Sequence, residues 1–244
     1  MILGLIKPVG DAFRTGELLM GNDVVSSAAA TASAWSSYPL NWTLTLLAAI
    51  ALTLNIPNIY YLAPHLWKAF SRWRWSLTIE ASIPLSRARD YMALFCVVPF
   101  ALIADRYSLF SMELLELAAP SWHVLAVLAL LLALYIVRTL VYYALEGRSP
   151  KLSLFQAARK TERTFFIILT FLTLVEVGIL TVSGASDQAI RNVLRVTCAI
   201  IYFAFLIKKG QILVSFCSPL STFLYLCALE FVPVGMLIAA CVLF

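Results

Sequence analysis

Three ionisable side chains stand inside long apolar runs of this 244-residue sequence: Arg138, Glu176 and Glu230. A charge in such surroundings is expensive, so each is a candidate for function. Arg138 and Glu230 each lie about eight residues from the polar end of their runs, roughly 12 Å deep at the rise of an α-helix. Equal depth allows an ion pair that locks two helices together. Tyr135 and Tyr142 flank Arg138 at helical spacing, where their rings can meet the guanidinium. Glu176 is deeper, roughly 16 Å from the end of its run. The other chemistry open to these carboxyls is a proton or ion relay through Glu176 and Glu230.

Prolines add polar points within the apolar runs. Pro57, Pro99 and Pro233 each remove a helical donor and free a carbonyl four residues earlier, at Thr53, Phe95 and Leu229. Glu230 follows Leu229 directly, and Asn55 and Asn58 flank Pro57. Both places have the makings of a polar notch, although neighbouring helices often satisfy such kinks.

Enzyme signatures do not emerge, so no catalytic residue, metal ligand or cofactor is expected. There is no H-E-x-x-H pattern, and the two histidines, His65 and His123, fall at opposite ends of their runs. The five cysteines, Cys96, Cys198, Cys217, Cys227 and Cys241, are odd in number and form no C-x-x-C. Cysteines in or beside apolar runs behave as small hydrophobes rather than as a disulfide or zinc framework.

The elements that must position these residues are helices in a membrane. The chain is 62% hydrophobic and 13% charged, whereas soluble domains carry about 25% charged residues. The hydropathy pattern predicts an all-α bundle of six spans. They run over about Trp42–Leu62, Tyr91–Ala104, Trp122–Leu145, Phe165–Ser183, Val193–Ile207 and Thr222–Phe244. The second is short and needs extension, with Arg87 or Arg89 snorkelling. Residues 1–40 read as an interfacial segment followed by a small-residue linker, and residues 41–244 as the membrane domain.

Basic residues set the orientation. Twelve lie in the stretches 63–90, 146–164 and 208–221, and five lie on the other side. The richer side is expected in the cytoplasm, which places both termini outside. The net charge of +5 therefore serves topology rather than nucleic acid. One cytoplasmic stretch interleaves aromatic and basic residues, with Trp67, Arg72, Trp73, Arg74 and Trp75. That mixture suits membrane lipid headgroups or the docking of a partner.

Three segments carry a resemblance. They are Leu66-Trp67-Lys68 through Asp105-Arg106-Tyr107, then Ala157-Ala158-Arg159-Lys160 leading into Phe165-Phe166-Ile167-Ile168-Leu169, and lastly Lys209-Gly210 with Phe223-Leu224-Tyr225-Leu226-Cys227-Ala228-Leu229-Glu230-Phe231-Val232-Pro233. Together they resemble a Bacteroidota family of multi-pass inner-membrane proteins catalogued as a domain of unknown function. The resemblance covers roughly residues 60–244 and rests mostly on the last pattern. It implies a Gram-negative inner membrane and draws attention to Tyr225, Cys227, Glu230 and Pro233. It implies no activity. The expectation is a non-catalytic accessory or scaffold component of an envelope complex, with a small proton- or ion-coupled transporter as the alternative.

Overall fold

The computed structural model describes residues 35, 38–71, 75, 78–79, 82–110, 122–146, 152–215, 219–227, 230 and 235. Among them are seven helices and no strand. These are α1 (Pro39–Leu54), α2 (Ile56–Ser71), α3 (Ile83–Arg106), α4 (His123–Glu146), α5 (Leu152–Val182), α6 (Asp187–Val214) and α7 (Pro219–Leu226). All seven belong to one compact unit, Pro39–Phe244.

Three stretches are long and apolar enough to cross a membrane: His123–Tyr143, Lys160–Val182 and Asp187–Val214. Helices α1 and α2 meet the same test only as a pair, bent by 70°. The continuous first run expected over Trp42–Leu62 is therefore broken at Asn55. The cause is local. Proline cannot continue a helix but fits its first turn, so α1 stops at Leu54 and α2 starts with Pro57 as its second residue. The polar notch there closes on itself. Asn55 Nδ2 donates to Ala51 O at 2.8 Å, and Asn58 Nδ2 donates to Asn55 Oδ1 at 3.2 Å.

Helix α3 is the centre of the packing, touching α1, α2, α4 and α5. It extends beyond the expected Tyr91–Ala104 at both ends, and Pro99 is buried inside it. Met92, Ala93 and Cys96 of α3 meet Leu62, Leu66 and Ala69 of α2 and Ile167 of α5. Nearer the other end, Ile103 and Tyr107 meet Ile190 and Leu194 of α6.

Helices α5 and α6 form a tight hairpin. Gly184, at φ 72°, ends α5 with the bond Ala185 N–H to Leu180 O, a left-handed cap that suits glycine. Ser186 then caps α6, its Oγ accepting from the Ala189 N–H at 3.3 Å. Both helices outrun their expected bounds. Helix α5 begins at Leu152, so Lys160, Glu162 and Arg163 are helical rather than in a loop. Helix α6 runs on to Val214, so Lys208 and Lys209 are helical as well. Most of the expected sixth run, Thr222–Phe244, lies outside the described residues, as does the N-terminal segment to residue 34.

Candidate functional site

The ion pair expected from equal depth is present. Arg138 of α4 contacts Glu230 through Nη2 and Oε2. Two further charges, both on segments expected as loops, complete the group. Arg138 Nη1 donates to Glu162 Oε1 of α5 at 2.7 Å. Lys209 of α6 donates to Glu230 Oε1 and to the Tyr142 hydroxyl. Lys209 and Glu230 are wholly buried. The Tyr202 hydroxyl also reaches the Glu230 carbonyl, at 3.4 Å.

Four charges from four segments thus converge, two positive and two negative. Burying a charge is tolerable only when partners and hydrogen bonds replace water. Aromatic faces add to this replacement. The Phe205 ring lies 5.4 Å from the Arg138 guanidinium and 5.3 Å from the Lys209 ammonium, which also stands 4.7 Å from the Tyr142 ring. The tyrosines also have partners beyond those expected: Tyr142 serves Lys209, and Tyr135 accepts from Arg163 Nη2 at 3.1 Å. Lys209 comes to lie beside Tyr142 because α6 continues past Ile207.

A second set of ion pairs lies one residue along α5. Asp90 of α3 is held between Arg89 (Oδ1, 2.8 Å) and Arg163 (Oδ2, 2.6 Å). At the opposite end of α3, Asp105 contacts His123. His123 thus has an acidic partner that residue order conceals, because Asp105 reads as a loop residue in sequence.

Glu176 is elsewhere. Its Oε1 accepts from the Thr197 hydroxyl of α6 at 2.7 Å, and its Oε2 is buried with no hydrogen-bond donor. Thr197 precedes Lys209 by just over three turns of α6, roughly 18 Å. Phe165, Ile201, Phe205 and Leu206 pack together along the intervening stretch of α5 and α6. Glu176 and Glu230 therefore do not share a site.

The remaining expected residues divide. Trp67 is outward-facing on α2, 74% exposed, and stacks on Phe70 at 6.2 Å. Trp75 is half-buried, packs against the α2–α3 core and lies beneath the Lys68 ammonium at 4.9 Å. Arg72, Trp73, Arg74 and Pro233 lie outside the described residues. Tyr225 packs against the cluster of Tyr142, Ala158, Ile212 and Leu213, and Cys227 is a half-buried free thiol.

The combination offers an electroneutral cross-brace joining α4, α5, α6 and the segment after α7, together with one isolated acid. No family model, curated protein or solved structure matches the chain.

Proposed function

We propose that the chain is a non-catalytic, multi-pass inner-membrane protein that acts as an accessory or scaffold component of an envelope complex. One observation carries the reading. Arg138, Glu162, Lys209 and Glu230 pair with one another, two charges of each sign, so among the described residues this buried group carries no net charge with which to hold a cargo. A cross-brace of this kind favours a rigid body over an alternating one.

The topology that goes with this reading has six spans. The bent pair α1–α2 counts as the first, α3 as the second, and the segment containing Glu230 as the last. The basic ends face the cytoplasm, and both termini face outward. A partner meets the cytoplasmic stretches, with Arg72, Trp73 and Arg74 as the first contacts, and membrane lipids cover the apolar surface.

The transport alternative draws on Glu176, whose second carboxyl oxygen lacks a donor. The apolar layer of Phe165, Ile201 and Phe205 weighs against a single path linking it to Glu230. The deciding experiment is affinity purification of the full chain in mild detergent. A stoichiometric envelope protein, lost in Arg72→Ala/Arg74→Ala, is the expected result. Recovery of the chain alone, with proton flux in vesicles that Glu176→Gln abolishes while the thermal unfolding midpoint is kept, overturns the proposal in favour of transport.

A further inference from the structure

Helix α2 has a face that the other described residues leave uncovered. Leu62, Leu66 and Ala69 are buried on one side against α3 and α5. At about 100° per residue, Tyr60, Trp67 and Lys68 fall on the other side. Tyr60 is 85% exposed. Acyl chains cover leucine and isoleucine well, but they give nothing to a phenol hydroxyl, an indole N–H or an ammonium. Those groups settle at the level of lipid headgroups.

The bend would bring them to that level in a chain whose α1 crosses a membrane. Helices α1 and α2 have 16 residues each, or roughly 24 Å apiece, and end to end they would overrun a hydrocarbon core of about 30 Å. With 70° between them, α2 advances only about 8 Å along the direction of α1. If α1 crosses, α2 lies close to the membrane plane.

The charge on this stretch has one sign. Between Asp23 and Glu80 there is no acidic residue, while Lys68, Arg72 and Arg74 are basic. Two ammonium groups gather at the end of α2. Lys68 sits over Trp75 at 4.9 Å, and Lys208 donates from α6 to Ser71 O at 2.7 Å. Cations at a helix C-terminus complement its dipole.

We infer that the outward face of α2 is a binding surface for anionic phospholipid headgroups, with Tyr60 and Trp67 seated in the interfacial layer and Lys68 on the headgroup phosphates. Aromatic residues alone would accept any phospholipid. The one-signed charge makes the surface prefer an anionic one, by roughly fivefold per basic residue. This inference does not depend on a partner protein.

The test uses the full chain in phosphatidylcholine vesicles with and without phosphatidylglycerol. The Trp67 fluorescence is obtained as the difference between the native chain and Trp67→Phe. Nitroxides placed on the headgroup or in mid-chain quench it according to depth. Headgroup nitroxides are expected to quench Trp67, and those on phosphatidylglycerol are expected to quench it more than those on phosphatidylcholine at equal density. Lys68→Gln is expected to reduce that preference roughly fivefold. Quenching confined to mid-chain labels overturns the inference, because α2 would then lie among acyl chains. Equal quenching by both lipids overturns the anionic preference. Quenching by aqueous iodide with no effect of lipid overturns it in favour of a soluble partner. Both substitutions are on the exposed face, and unchanged thermal unfolding of each variant confirms that the fold is kept.

Discussion

At the Glu230 carboxylate, two cations, Arg138 and Lys209, stand in for water, and these are in turn held by Glu162, by the Tyr142 hydroxyl and by the Phe205 ring. Around Glu176, on the far side of an apolar layer, a single threonine hydroxyl does so. The two carboxyls are of one residue type, both inside a helical bundle, yet one belongs to a charge set drawn from four segments and the other has a hydroxyl neighbour across a helix hairpin. The difference shows that acids inside apolar runs are not interchangeable evidence of transport. What decides their role is how many partners converge and from how many elements. Where charges balance across several helices, removal of one exposes the rest. Where an acid has one neutral partner, removal leaves little behind.

The comparison is tested most severely at Glu230. Glu230→Ala leaves Lys209 and Arg138 buried beside each other without their shared anion. Losing one partner of a buried ion pair costs about 3–5 kcal/mol, so thermal unfolding in detergent is expected to fall steeply. An unchanged midpoint would mean that the cross-brace contributes nothing. A second variant sharpens the point. Adding Lys209→Met to Glu230→Gln removes one charge of each sign and leaves Arg138 with Glu162, so most of the lost stability is expected to return. Failure to recover would show that the geometry of the set, rather than its charge balance, is what matters. At Glu176 the effects are smaller. Thr197→Val removes the hydroxyl that serves this acid and is expected to cost about 1–3 kcal/mol, the scale of a buried acceptor left without its donor. A larger loss than that of Glu230→Ala would invert the ranking of the two regions.

Much of this is readable from residue order, and the exceptions have physical reasons. Equal depth allows the pairing of Arg138 with Glu230, and the contact between their segments, which residue order does not encode, completes it. Lys209 and Glu162 escape such a reading because a basic or acidic residue next to other charges reads as a loop. The apolar residues Ile212, Leu213 and Val214 beyond Lys209 are the signal that the helix continues. Asn55 and Pro57 mark an interruption, but the 70° angle depends on how α2 packs against α3 and α5, and residue order does not encode it. The partner of Glu176 is open to inference, because Thr197 is a polar residue near mid-run in the next helix. Nothing in residue order singles it out among the other threonines.

Helix α3 has a consequence for how the protein is made. It is the hub of the packing, with buried residues along much of its length, yet it is not among the helices long and apolar enough to cross a membrane unaided. A ribosome delivers it before α4 and α5, two of the helices it rests against. Of the described helices it packs against, α1 and α2 are made before it, and its charged ends, Arg87 to Asp90 and Asp105 to Arg106, resist lipid on their own. The segment on which the finished bundle depends most is thus the one whose retention has to wait for helices synthesised after it, so truncations after α3 should be lost during biogenesis rather than survive as smaller stable proteins.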